Sequence, residues 1–210
     1  NKKYRHFKIY KRFENFPLPK SVIVNLNLEK MKKRFIANET IELVKKYLDK
    51  GDQILFFLNR RGFAPYLICK KCGQKLTCSN CSLYLTFHKL KNKAICHHCS
   101  FEKKIQNRCN TKGSCEFEMY GPGVEKIYYE VKGIFPTKKI NIFSSDYLSK
   151  KEEVNNLFKN IKEKKIDILI GTQMISKGFN FPNLNCIVVV DADFTGRGYD
   201  LRSTEKNIQL

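Results

Sequence analysis

The chain has 210 residues, enough for one large domain or two small ones with a real core. Its 42% hydrophobic and 29% charged residues read as a soluble globular chain, and no run approaches the roughly 18 apolar residues that a membrane span needs. The formal charge of +20 favours a phosphate-rich partner such as nucleic acid, although Lys outnumbers Arg 32 to 8, as a genome biased toward A and T would give, and solvated Lys faces are common.

Residues 1–37 read as a basic connector, with Phe16-Pro17-Leu18-Pro19 extended and Val22-Ile23-Val24 strand-like. Asn38 opens a helix on which Ile41, Val44, Tyr47 and Leu48 recur at helical spacing, and Gly51 closes it. Residues 53–58 are a short apolar run that fits a buried strand. From Gly62 the character changes, and all the paired cysteines follow. Regular patterning returns at Gly121-Pro122-Gly123, where Val124, Ile127, Tyr128 and Val131 form a helical stripe ended by Gly133. Residues 140–143 read as a strand. Ser149 and Glu152 suit a capping box for a helix striped by Val154, Leu157, Phe158 and Ile161. Residues 166–170 and 186–190 are continuous apolar runs, as parallel strands covered on both faces would be. The order of elements predicts a doubly wound α/β lobe interrupted by a cysteine-rich insertion. The expected division is a connector and first part of the lobe at 1–61, the insertion at 62–120, and the remainder of the lobe at 121–210. Asn1 in place of Met, and a helix-like pattern still running at 204–210, suggest an internal piece of a longer chain.

The nine cysteines lie mostly in tight pairs, and no signal segment is evident. That usage points to metal ligation in a reducing cytoplasm rather than to disulfides. The spacing is Cys69-x₂-Cys72, Cys78-x₂-Cys81 and Cys96-x₂-Cys99, then Cys109 and Cys115. A C-x₂-C knuckle turns two thiolates toward one ion, and two knuckles complete a tetrahedral S₄ site. Zinc fits this pattern best, with iron–sulfur clusters taking similar ligands. A closed S₄ site has no position for water, so the metals are expected to be structural. His88, His97 and His98 are further donors, for which a bystander role is the simpler reading. Cys186 reads as a small core residue.

Two loops carry phosphate-binding chemistry. Arg60 and Arg61 follow the first strand beside Gly62, which suits phosphate or carboxylate recognition and equally a solvated loop. Thr172, Gln173, Lys177 and Gly178 follow the strand at 166–170, with a hydroxyl, an amide, an ammonium and glycines in one loop. Asp191 and Asp193 share one face of the last strand, where an ion pair is a simpler role than a metal.

Residues 57–65 (Phe-Leu-Asn-Arg-Arg-Gly-Phe-Ala-Pro), the knuckles, Gly121-Pro122-Gly123-Val124-Glu125, and Gly171-Thr172-Gln173-Met174 through Phe181-Pro182 together resemble the primosomal protein N′ family. Its members are superfamily 2 helicases that unwind DNA 3′→5′ and reload replication at stalled forks. The resemblance implies a second RecA-like lobe with an inserted two-zinc module. It implies ATP and Mg²⁺ for the whole protein, forked and single-stranded DNA as substrates, and primosome and single-strand-binding proteins as partners. Thr172 would hold a backbone phosphate, while Gly178 and Asn180 would face the nucleotide. The zinc sites would be nested: Cys69, Cys72, Cys109 and a fourth ligand in one, and Cys78, Cys81, Cys96 and Cys99 in the other. This chain departs from the family at Lys112, where the second Cys of the fourth knuckle is expected; Cys115 is the substitute, with His88 or water next. It departs also at Asn180 and Ser144, where Asp is frequent. No G-x-x-x-x-G-K-[ST] loop is present, and the family's last arginines would follow Leu210, so no catalytic residue is assigned within these 210 residues. The alternatives are a non-motor zinc-ribbon scaffold that binds nucleic acid and a helicase homologue that has lost activity.

Overall fold

The computed structural model describes residues 7–8, 18–28, 34–58, 60, 62–106, 108–109, 113–148, 150–176 and 180–192. Helix α1 (Asn38–Asp49) buries Ile41, Val44 and Leu48, with Glu39 in its first turn and Lys46 in its last, each matching the helix dipole. Gly51 follows at φ +79°, a left-handed turn that frees the chain to enter strand β1 (Gln53–Phe57). Among its described residues the insertion then supplies seven short strands: β2 (Tyr66–Cys69), β3 (Thr86–His88), β4 (Lys93–Ile95), β5 (Glu102–Lys103), β6 (Arg108–Cys109), β7 (Gly113–Ser114) and β8 (Phe117–Tyr120). Helix α2 (Val124–Ile134), strand β9 (Ile140–Phe143), helix α3 (Lys151–Lys162), strand β10 (Ile168–Gly171) and strand β11 (Leu184–Val189) complete the lobe.

The lobe is one parallel sheet in the order β11-β1-β10-β9. Alternation along β1 divides the core. Ile54 and Phe56 face α1 and α2, where they meet Val44, Leu48, Val124, Ile127 and Val131. Leu55 and Phe57 face α3, where they meet Leu157, Ile161 and Phe143. Each such aliphatic or aromatic side chain contributes about 1.5–3 kcal/mol when fully buried. Gln53 ties the sheet to α3, because its Nε2 donates to Ile161 O and Ile166 O at 2.9 and 2.7 Å.

Several sequence expectations change. Val22-Ile23-Val24 forms no strand; Ile23 is 96% exposed, because no neighbouring edge pairs with it. The run at 186–190 is covered on one face only. Cys186 and Val188 pack on the core, whereas Ile187 and Val189 are more than half exposed, since β11 is an edge strand beyond the reach of α3. Helix α2 continues through Gly133 to Ile134. Helix α3 starts later than a Ser149–Glu152 box requires, and Glu153 accepts from Lys150 N at 3.1 Å instead. Ser149, Asn59, Arg61, Lys112, Lys177, Gly178, Asp193 and the segment 204–210 lie outside the described residues. Among the described residues, no helix is long and apolar enough to cross a membrane.

The insertion leaves the carboxyl edge of β1 and returns at α2 through a narrow neck. Strands β2 and β8 pair antiparallel from Tyr66↔Tyr120 to Cys69↔Phe117. At the base, the first N–H groups of α2 have no helical acceptor and no capping side chain. They are taken by the outgoing chain: Val124 N donates to Arg60 O at 3.3 Å and Glu125 N to Gly62 O at 3.1 Å. The approach requires glycine at 123, and the packing of the exit on β3 requires it at 62. A Cβ at Gly123 would lie 2.3 Å from Gly62 O, and one at Gly62, where φ is +68°, would lie 2.8 Å from Phe87 O. Gly133→Ala meets nothing within 4 Å and should stabilise the chain by about 0.5–1 kcal/mol through helix propensity. Gly123→Ala should destabilise it by roughly 1–3 kcal/mol, as overpacking does. Urea unfolding of the two variants should therefore move in opposite directions.

Candidate metal centres and the sheet edge

The first three knuckles repeat one turn. The residue four places after the leading Cys donates its N–H back to that Cys: Gly73 N to Cys69 O at 2.8 Å, Ser82 N to Cys78 O at 3.0 Å, and Ser100 N to Cys96 O at 2.9 Å. All three returning residues are left-handed, at φ +72°, +60° and +60°. The leading Cys in turn donates to the residue five places on, at Gln74 O, Leu83 O and Phe101 O. Gly113, four places after Cys109, has φ +62°, and β6 and β7 pair Cys109 with Gly113. The fourth turn therefore shares the left-handed fourth residue, although Lys112 carries no thiol.

Each turn aims its thiols inward. Cys78, Cys81, Cys96 and Cys99 form one group, with sulfur–sulfur distances of 3.5 Å for 78–99, 3.4 Å for 81–96 and 3.7 Å for 81–99. Four sulfurs around a tetrahedral zinc stand about 3.8 Å apart, given Zn–S of about 2.3 Å. Cys69, Cys109 and Cys115 form the second group, and Cys72 Sγ lies 3.9 Å from Cys109 Sγ. The thiol absent from position 112 is thus supplied spatially by Cys115, which is 3% exposed. Both donor sets are consistent with zinc.

The thiols also resist being charged together. Burial raises Cys69, but the amides of Cys72 and Lys71 and the thiols of Cys72 and Cys115 overcome it and hold Cys69 down to about 6. Cys96 is likewise drawn to about 7, against its burial, by the Cys99 and His98 amides and the thiols of Cys81 and Cys99. Burial and the thiols of Cys69 and Cys109 push Cys115 up to about 12. At Cys81 the Leu83 amide pulls downward, yet burial and the three neighbouring thiols push it up to about 12. In each group, then, one sulfur is drawn down and another pushed up by its neighbours, and a cation would be needed to hold these thiolates charged together.

Of the other anticipated site residues that are described, Arg60 and Thr172 follow the carboxyl ends of β1 and β10 in the parallel sheet. Arg60 is largely buried there, and its guanidinium pairs with Asp191 at 2.5 Å. Burial lowers the Arg60 pKa and Asp191 opposes that fall. Thr172 is buried, and its carbonyl accepts Ile175 N at 3.0 Å, closing the turn after β10. Gln173 and Asn180 are exposed.

A Cys-rich region domain model of the PriA DNA helicase matches residues 78–104, the span of the second and third knuckles. The chain is 40% identical to the replication restart protein PriA of Rickettsia felis over 210 residues, which is 99% of this chain and 32% of that protein. It is 34% identical to PriA of Haemophilus influenzae over 100% of this chain and 29% of that protein. With PriA of Bacillus subtilis it shares 33% over 82% of this chain and 21% of that protein. The chain belongs to the PriA family. It spans about a third of the length of the curated relatives it matches, and its Cys-rich zinc region lies inside that span.

One group of PriA-segment residues is not evident from the sequence pattern. His88, 1% exposed, turns Nδ1 to Glu125 Oε1 at 3.4 Å and Nε2 to His97 Nε2 at 3.0 Å. Glu125, 2% exposed, also accepts Lys89 N at 3.0 Å. Burial raises the Tyr147 pKa and the Glu125 carboxylate raises it further. This seam joins the insertion to the first turn of α2 and the turn after β9. His88 and His97 stand out in the sequence as spare donors, but Glu125 reads as an ordinary first-turn acid of α2, and nothing in the pattern brings the three together.

Cys115→Ser should cost the chain about one zinc and make the turns around Cys69 and Cys109 sensitive to protease, because structural zinc supplies on the order of 10–16 kcal/mol in small zinc peptides. Lys112→Cys in that background should restore the ion. Metal analysis with limited proteolysis reads both outcomes, and the parallel sheet should stay folded throughout.

Proposed function

We propose that this chain is the second motor lobe of an ATP-dependent 3′→5′ DNA helicase that unwinds DNA at stalled replication forks and supports primosome assembly. The carrying observation is the alignment of essentially the whole chain with PriA proteins, with both thiol groups rooted on one carboxyl sheet edge. In open α/β sheets that edge is where ligands bind. Two structural zincs fit the reading, one on Cys78, Cys81, Cys96 and Cys99, the other on Cys69, Cys72, Cys109 and Cys115. The protein acts in the cytoplasm with ATP and Mg²⁺, on forked and single-stranded DNA, alongside primosome and single-strand-binding proteins.

Within this reading, Thr172, Gln173, Arg61 and Lys177 meet backbone phosphates, and Gly178 and Asn180 face the nucleotide. The pairing of Arg60 with Asp191 suits it to fixing the edge more than to contacting DNA directly. Grips on phosphate are sequence-tolerant, as a translocating motor requires, and the surplus of Lys adds salt-dependent affinity. The alternative of a zinc scaffold without motor activity makes the opposite prediction for ATP turnover.

The 210-residue chain alone should hydrolyse no ATP, because the phosphate loop is absent from it, while the full-length protein should show DNA-stimulated hydrolysis. A full-length protein that is inactive with DNA would overturn the motor reading. In the full-length protein, Thr172→Ala should impair unwinding more than basal hydrolysis, through loss of a charged-acceptor hydrogen bond worth ~1.5–3 kcal/mol. Unchanged unwinding by the folded variant would assign Thr172 to closure of its own turn.

A further inference from the structure

Apart from the eight thiols stands a donor set of nitrogen and oxygen. His88 ends β3, His97 lies between the thiols of the third knuckle, and Asp146 sits in the turn after β9. One ligand atom from each lies within 4.8 Å of the other two. The two imidazoles meet edge to face at 64°, with their Nε2 atoms 3.0 Å apart. Asp146 Oδ2 is buried and has no hydrogen-bond partner.

The far side of His88 fixes which nitrogen is free. Its Nδ1 faces Glu125 Oε1 at 3.4 Å, and Glu125 is anchored through its other oxygen by Lys89 N at 3.0 Å. A proton on Nδ1, directed at that carboxylate, leaves the Nε2 lone pair pointing toward His97 and Asp146. This carboxylate–imidazole relay is the arrangement that orients metal-bound histidines. A simple hydrogen bond between the two imidazoles would use one lone pair and one N–H, and would leave the buried Asp146 oxygen without a donor. A divalent cation satisfies all three groups together. Two nitrogens on one tetrahedral zinc stand about 3.3 Å apart, given Zn–N of about 2.0–2.1 Å, close to the separation found here.

The geometry points to a third metal site, held by His88, His97 and Asp146, with Glu125 orienting His88. Two imidazoles and one carboxylate suit zinc or a neighbouring divalent transition ion. Its character differs from the thiol sites. Three protein donors leave a coordination position for water, and the ligands come from both sides of the seam. His88 and His97 belong to the insertion and Asp146 to the lobe, so the ion clamps one to the other.

The test uses the full-length protein with its thiol sites filled, titrated with Zn²⁺ against a chromophoric chelator, with Co²⁺ substituted in parallel. A further equivalent should bind beyond those of the thiols. In the Co²⁺ form it should add d–d absorption without added thiolate-to-metal charge transfer. His97 is exposed and Asp146→Asn is isosteric, so His97→Ala and Asp146→Asn should leave the fold and the thiol bands intact. Both should weaken the extra equivalent about tenfold or more. Three results overturn the site: binding that stops with the thiols, an extra equivalent that survives both substitutions, or one that brings thiolate charge transfer and so belongs to Cys186. The readout is metal and not unwinding, so failure here leaves the helicase reading standing and failure of that reading leaves the site standing.

Discussion

The bare first turn of α2 governs how the rest of the molecule is arranged. A helix N-terminus with no capping side chain must find acceptors elsewhere, and here the acceptors are Arg60 O and Gly62 O, the chain's own exit from β1. Those bonds form only if two backbones nearly touch, which is why Gly123 sits against the Gly62 carbonyl, while Gly62 itself is left-handed and packed against β3. The neck thus does two things with one set of contacts. It completes a helix of the lobe, and it sets the direction in which the insertion leaves.

Beyond the neck the insertion has a small core of its own, centred on Leu67, Leu85, Phe87 and Ala94 with the buried Cys78 and Cys96. That is little apolar surface for a unit with seven short strands, and small units of this kind ordinarily depend on metal or disulfides. The thiol groups meet that need. Each knuckle uses a left-handed residue that is Ser in two of the cases, at a cost of roughly 1–2 kcal/mol per residue in that conformation. A returning N–H bond offsets this, and an ion held by the thiols would add to it. The lobe, with three helices packed on two faces of its sheet, has no such dependence.

Much of this could be read in advance, and the physical reason is locality. Strand β9, helix α1 and the buried run of β1 follow from contiguous apolar patterns, and the knuckles follow from covalent spacing. Where an outcome depends on a neighbour, the pattern misleads. Residues 186–190 look doubly buried, but an edge position exposes Ile187 and Val189. Val22-Ile23-Val24 has strand-like residues and, among the described residues, no strand to join. The replacement of the thiol at 112 by Cys115 was visible as a possibility, because a Cys lay nearby; its convergence with Cys69 and Cys109 is a matter of three dimensions. His88, Glu125, His97 and Asp146 are drawn from four separate elements, and no periodicity links them.

The seam also decides whether the insertion swings or rides with the lobe. A swing at the neck would separate His88 from Glu125, both nearly inaccessible to solvent, and would release the acceptors of the first turn of α2. Each buried polar group left without its partner by such a swing costs about 1–3 kcal/mol. Phe63 adds to the closure, since Lys89 from the insertion and Lys126 from α2 lie over its ring at 5.2 and 5.5 Å. The insertion therefore moves as a rigid extension of the lobe.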